Sequence, residues 1–242
     1  MDRMIYSAMS GAKATMARQD SLANNLANAN TTGFRAEMVR HRAVPIQGEG
    51  ASTRVFALDT TLGYSDKQGE INITNRELDV AVSGPGWIAV QGLDGNEAYT
   101  RNGSLDVDGN GQLVTRNGLP VLGDGGPINV PANARIKIGQ DGTVTATVGN
   151  GAPQQVGRIK LTNPETVSRG PDGLFRTPDG EAAPLDENVR VTPAALEGSN
   201  VNVIEQMVGM ISAARQYEMQ IKMMTTADTS TQRATRLLSP TG

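Results

Sequence analysis

The chain has no cysteine and a single histidine, His41, in 242 residues. Without cysteine there are no disulfides, no thiolate nucleophile and no Cys-ligated zinc or iron–sulfur centre. His41 has no acidic partner in its own segment, which makes it a poor general base or metal ligand. Aromatic residues are 3 % of the chain, so a core must be built from Val, Ile, Leu and Ala. No run approaches the 18 apolar residues of a membrane span. The opening, Met1 to Gly11, carries Asp2, Arg3, Ser7 and Ser10 where a secretory signal would need about 7–15 apolar residues. A cytoplasmic protein, or one exported by a route that removes no peptide, is therefore expected. A net charge of −3 and a pI near 5.3 give no electrostatic reason to bind nucleic acid or an anionic membrane. No nucleophile elbow, P-loop or paired-acid site is present. No catalytic, cofactor-binding or metal site is expected, and the chain does not read as an enzyme.

What is present is a pair of amphipathic ends. Val203, Met207, Met210, Ala214, Tyr217, Ile221 and Met224 alternate by four and three, the a/d spacing that puts an apolar stripe on one helix face. Asn202 can cap the first turn, with Glu205 at the capping-box spacing. A helix running to Leu238 would hold about 37 residues and span roughly 55 Å. Ile5, Met9, Ala12, Met16, Gln19, Ala23 and Leu26 repeat the alternation at the other end, which stops near Thr31-Thr32-Gly33, with Gly33 suited to the helix C-terminus. Both stripes are rich in Ala and Met, so their seams are weak and are expected to hold only when several helices bundle.

The middle differs. Phe34 to Pro45 is basic (Arg35, Arg40, His41, Arg42) and reads as a solvated surface, and Gly48 to Ser52 reads as a flexible joint. Residues 61–198 alternate apolar and polar over short runs. Leu78–Val82, Trp87–Val90, Arg135–Ile138, Thr143–Val148 and Arg158–Leu161 read as strands. Asp108-Gly109, Asn117-Gly118, Asp141-Gly142, Asn150-Gly151, Asp172-Gly173 and Asp179-Gly180 supply the positive φ of tight hairpins. The fold class expected is α+β: long N- and C-terminal helices packed as a coiled coil, flanking a central, mostly antiparallel β-domain. The divisions are 1–33 (helix), 34–60 (extended link), 61–198 (β-domain) and 199–242 (helix).

Two motifs imitate ligand sites. Asp106-Val107-Asp108-Gly109-Asn110-Gly111 matches half of a calcium loop, but the twelfth position is Asn117 where a bidentate Glu is required. Gly84-Pro85-Gly86-Trp87 follows a strand like a dinucleotide loop, yet another strand follows where a helix is needed. Both read as turns.

The stretch Asn24-Asn25-Leu26-Ala27-Asn28-Ala29-Asn30-Thr31-Thr32-Gly33-Phe34-Arg35 resembles the N-terminal motif of the bacterial flagellar axial proteins, the rod and hook subunits. The resemblance continues through Gln68-Gly69, Leu78-Asp79-Val80-Ala81-Val82, Gly86-Trp87 and Tyr99-Thr100-Arg101-Asn102-Gly103. It reaches Gly198-Ser199-Asn200-Val201-Asn202-Val203-Ile204-Glu205-Gln206-Met207 and covers essentially the whole chain. The opening Met1-Asp2-Arg3-Met4-Ile5-Tyr6 is similar to one rod subunit in particular, and the chain is too short for a hook subunit. This implies a structural subunit, exported unfolded by the flagellar export apparatus. It would polymerise with itself and with neighbouring rod proteins into a hollow periplasmic drive shaft of the basal body. The helix stripes then become the expected assembly interface: Ile5, Met9, Ala12, Met16, Ala23 and Leu26 with Val203, Met207, Met210, Ala214, Tyr217, Ile221 and Met224. Asn24, Asn25, Leu26, Ala27, Asn28, Thr32, Gly33 and Phe34 form the family motif. The alternatives are the distal-rod subunit of the same family, or a soluble β-domain ligand-binding protein with a helical oligomerisation stalk.

Overall fold

The computed structural model describes residues 2–45 and 55–238, with side chains placed for residues 5–39 and 63–233. The expected joint at Gly48 to Ser52 lies outside the described residues, as do the side chains of Arg40, His41 and Arg42. The chain divides into two compact units, one of Met1–Ala29, Glu37–Ser65 and Val201–Gly242, the other of Asn30–Ala36 and Asp66–Asn200.

The first unit holds helix α1 (Asp2–Ala27), strands β1 (Glu37–Pro45) and β2 (Val55–Tyr64), and helix α2 (Val203–Leu238). Strands β1 and β2 pair antiparallel from Glu37↔Tyr64 to Pro45↔Val55, with a register shift between Val39 and Arg40. Asn202 caps α2: its Oδ1 accepts the N–H groups of Ile204 (3.1 Å) and Glu205 (3.3 Å), donors that a helix start leaves unpaired. α1 stops at Ala27, six residues before Gly33.

Helices do flank an antiparallel β region, but they are not packed as a coiled coil. A coiled-coil seam buries its large a/d side chains as knobs. Here Met9 and Met16 are 53 % and 56 % exposed, and Val203, Met207 and Ile221 are 42 %, 52 % and 37 % exposed. Small or polar residues take many of the inward positions, Ala8, Ala12, Thr15 and Gln19 on α1 with Gln206, Ala213 and Gln220 on α2, and Leu22, Met210, Tyr217 and Met224 are half-buried beside them. Two glycines lie in this contact. A Cβ on Gly11 would lie 3.0 Å from Gln220 Nε2, and one on Gly209 would lie 3.1 Å from Leu22 Cδ2. At these two positions the space is taken by Leu22 and by the amide end of Gln220, while Met9, Met16, Met207 and Ile221 lie on outward sides of the helices. A further face of α1, marked by buried Ala14, Ser21 and Asn25, is spent on the β1–β2 hairpin.

The second unit is built from short strands. Its largest sheet has five, in the order Leu161–Thr162, Trp87–Gln91, Glu97–Thr100, Phe175–Arg176 and Ser168–Arg169. A three-stranded sheet runs Ala134–Ile138, Thr143–Val148, Gln154–Arg158. Every pairing is antiparallel, and the shared core contains Val80, Val82, Ile88, Val90, Leu105, Leu113, Val121, Val144, Ile159 and Leu161. Arg158 to Leu161 was expected from its alternation to be one strand, but one strand ends at Arg158 and the next begins at Leu161. The chain passes there from one sheet to the other: Ile159 N–H bonds Gly142, and Lys160 N–H bonds Leu122.

One turn is used five times, at Gly92–Asn96, Asp108–Gln112, Thr115–Leu119, Gly139–Thr143 and Gly170–Leu174. In each, the first N–H donates to the fifth carbonyl at 2.8–3.0 Å and the fourth N–H returns to the first carbonyl at 2.8–3.1 Å. The fourth residue is always glycine, with φ between 79° and 82°. This is a three-residue hairpin loop with a bulge glycine. In Asp108-Gly109-Asn110-Gly111 the positive φ therefore falls on Gly111, and near Asn150-Gly151 it falls on Gly149. Nothing lies within 4 Å of a Cβ added to Gly95. Gly95→Ala should thus report the left-handed conformation alone, a loss of roughly 1–2 kcal/mol, seen as a lower denaturation midpoint with an unchanged m-value. No loss would place the strain elsewhere.

Candidate assembly interface

Turning the large side chains outward gives α2 an apolar face opposite α1. Ile204, Val208 and Ile211 are 74 %, 61 % and 56 % exposed and lie beside Met207, while Met219 and Met223 continue the exposure along the helix. On α1, Tyr6 joins Met9 and Met16. Of the residues expected in an interface, Met9, Met16, Ala23, Val203, Met207 and Ile221 are exposed in the single chain, and Ala12 is buried. Ile5, Leu26, Met210, Ala214, Tyr217 and Met224 are half-buried. Ile204, Val208 and Ile211 were not among the residues expected in the interface. Their own four–three spacing was the available signal, masked by the parallel stripe one residue away.

The motif Asn24 to Asn28 closes α1. Asn28 donates its side-chain amide to the Asn24 carbonyl (2.9 Å) and to Asn24 Oδ1 (2.8 Å), and Asn24 donates to Glu37 Oε2 at 3.0 Å. Leu26 is half-buried and Ala27, the last helical residue, is exposed. Asn25 is 2 % exposed. Its Oδ1 accepts Glu37 N–H at 2.8 Å, and its Nδ2 donates to the Glu37 carbonyl at 2.9 Å and to Gln206 Oε1 at 3.3 Å. One buried amide thereby joins α1, β1 and α2.

The rest of the motif belongs to the second unit. Gly33, with φ 69°, donates its N–H to the Glu197 carbonyl at 2.7 Å, and a Cβ there would stand 2.4 Å from the Arg101 carbonyl carbon. Gly33 therefore serves a close backbone approach and does not end the helix. Half-buried Thr32 precedes it. Phe34 is buried, with the Arg169 guanidinium 4.4 Å over its ring. Arg35 is not part of a solvated surface. It is 2 % exposed and pairs with Glu197 Oε1 at 2.9 Å, while Arg101, 4 % exposed, pairs with Glu197 Oε2 at 3.0 Å. Arg35 also donates to the carbonyls of Asp66 and Lys67. Arg101 donates to those of Val82 and Gly84 and sits over Trp87, which stacks on Phe175 with centroids 4.4 Å apart. Three of the chain's eight aromatic residues are gathered here. Nothing in the sequence marks Glu197 as the shared anion, since pairs brought together by folding leave no spacing to read.

The ligand-like motifs resolve as turns. Asp108 Oδ1 accepts the N–H groups of Asn110 (2.9 Å) and Gln112 (2.7 Å), which engages the carboxylate within its own loop. Gly84 and Gly86, with φ 74° and 135°, connect two strands. Among the described residues no cluster of His, Asp or Glu is placed to hold a metal ion, and no helix is long and apolar enough to cross a membrane. Tyr99 is buried and its hydroxyl oxygen accepts Ala183 N–H at 2.7 Å; burial pushes its pKa up to about 12.

The same turns predict acid behaviour. Hydrogen bonds from the Gln112 backbone to Asp108, from Thr143 to Asp141 and from Arg176 to Asp172 hold these carboxyls below the usual aspartate value. A folded pKa below the unfolded value contributes stability above about pH 3.9, which is lost as pH falls through the lower folded values. Melting temperature should be level near neutrality and fall below about pH 4. Asp141→Asn keeps the side-chain acceptor without the titration, so it should flatten part of that acid limb. An unaltered acid limb would count against the assignment.

Three family descriptions match the chain: flagella basal body rod protein over residues 5–35, flagellar hook protein FlgE/F/G D1 domain over 81–146, and flagellar basal body rod FlgEFG protein C-terminal over 192–237. The flagellar basal-body rod protein FlgF of Escherichia coli K12 is 45 % identical, covering 99 % of both chains. That of Salmonella typhimurium is 44 % identical with the same coverage. FlgG of Agrobacterium fabrum is 34 % identical over 93 % of this chain and 95 % of its own. FlgF is also the rod subunit that the first residues resemble. With 45 % identity along its whole length, the chain belongs to the family of bacterial flagellar basal-body rod proteins.

Proposed function

We propose that this protein is a structural subunit of the flagellar basal-body rod, without enzymatic activity. It polymerises with copies of itself and with neighbouring rod proteins into a hollow periplasmic shaft that carries motor torque, after transit through the flagellar export apparatus. The observation that carries this reading is the apolar face of α2 in a chain whose whole-length relatives are named as rod proteins. An isolated helix gains nothing by presenting Ile204, Met207, Val208 and Ile211 to water. Each such side chain, once buried between subunits, contributes roughly 1.5–3 kcal/mol. The helix ends are thus the assembly interface, with Met9, Met16 and Ala23 on α1 and Val203, Met207 and Ile221 on α2 at its outward surface. The buried core of the second unit holds that unit together. A strain deleted for this chain should lack complete rods and should not swim, and a tagged copy restoring motility should co-purify with basal bodies. Complete rods in the deletion strain would overturn the reading.

A further inference from the structure

Three contacts between α1 and α2 share one antiparallel register. Asn25 bonds Gln206, Leu22 packs over Gly209, and Gly11 receives the amide end of Gln220. In each pair the residue numbers add to 231, so the register is held without a slip from Gly11 to Asn25 on α1 and from Gln206 to Gln220 on α2. A displacement of seven residues, two turns or about 10.5 Å along the axis, would return the same two helix faces to each other. Ahead of α2, Asn200 is held by Ala36 N–H and by the Phe34 carbonyl, and within the helices two features oppose that slip. Leu22 would meet Asn202 or Gln216 in place of Gly209, where even an added Cβ would lie only 3.1 Å from Leu22 Cδ2. Gln206 would lose the Asn25 amide, which stays fixed because Glu37 holds it from both sides.

We propose that Asn25 and Gln206 form a register key, a polar pair that selects one alignment of the terminal helices and contributes little to how strongly they bind. A buried polar residue in an otherwise apolar helix contact characteristically acts this way, giving up stability for a unique alignment. The key gives the motif asparagine a role beyond ending α1. By fixing α2 against α1 it also fixes where Met207 and Ile211 emerge on the outer surface, so every copy presents the same interface.

The absence of cysteine makes the register directly measurable. Gly11→Cys with Gln220→Cys reports the observed alignment, and Gly11→Cys with Ala213→Cys reports a slip of seven residues. Each pair is introduced into the full chain and oxidised, both in purified protein and in isolated basal bodies. With Gln206 intact, only the first pair should close. Gln206→Leu leaves the Asn25–Glu37 bonds in place. It should raise closure of the slipped pair relative to the first about tenfold, the scale of one lost hydrogen bond, with no fall in melting temperature. Gln206→Asn, shorter by one methylene but still able to accept, should retain more of the original alignment than Gln206→Leu. The proposal is overturned if the first pair fails to close with Gln206 intact. It is equally overturned if Gln206→Leu leaves closure wholly with the first pair, or if its only effect is a lower melting temperature.

Discussion

Glu197→Ala should cost the second unit about 3–5 kcal/mol, the penalty for leaving buried charge without its partner. Two guanidinium groups, of Arg35 and Arg101, share this one carboxylate, and all three side chains are at most 4 % exposed. Removing the anion leaves two cations in a site that water does not reach, and Gly69 N–H also loses its acceptor, Glu197 Oε1. For a unit of this size the melting temperature should fall on the order of 10 °C. Replacing Arg35, Glu197 and Arg101 together by apolar residues removes the charge problem, so it should cost less than the sum of the three single substitutions. It will not be neutral, because the carbonyls of Val82 and Gly84 lose the Arg101 donor. Thermal and denaturant unfolding of the four variants test this. A loss under about 1 kcal/mol for Glu197→Ala, the range of exposed pairs, would show that the triad is hydrated in solution.

Met207→Asp should leave the isolated chain almost unchanged and abolish rod assembly. Met207 is half exposed on its own helix, so a carboxylate there is hydrated, and stability should move within about 0.5 kcal/mol. Between subunits the same carboxylate would be buried without a partner, at a cost of several kcal/mol per contact. Cells carrying Met207→Asp should therefore make and fold the protein yet build no complete rods and fail to swim, while Met207→Leu should assemble normally. Electron microscopy of basal bodies decides the assembly arm and thermal unfolding of purified protein the folding arm. Normal rods with Met207→Asp would remove α2 from the interface. A collapsed melting temperature would instead place Met207 in the core of the subunit's own fold.

Local chemistry was legible because it depends on neighbours in sequence. Asn202 ahead of an apolar repeat specifies a helix start, and the Asp-Gly and Asn-Gly pairs specify turns, since only particular residue types tolerate the backbone angles required. The twelve-residue Asn- and Gly-containing motif marked the family for the same reason. Which side of each helix faces inward was not legible in the same way. Two stripes at four–three spacing lie one residue apart on α2, and hydrophobicity favours the one holding Met207 and Ile221. Tertiary structure turned neither inward but the face holding Gln206, Gly209, Ala213 and Gln220, where Gly209 receives Leu22 and Gly11 receives the amide end of Gln220.

Amino-acid order alone sets a helix before and after a β-rich middle, the places of most of its turns, and the protein family that the chain resembles. These follow from periodicity, from backbone conformational preference and from contiguous motif. It took folding to settle that Met9, Met16, Met207 and Ile221 point outward. The same holds for Arg35, Glu197 and Arg101 burying one another, and for Asn25 joining α1, β1 and α2. Each depends on residues as many as 181 positions apart meeting in space, and a contact of that kind has no period or local preference through which a sequence could express it.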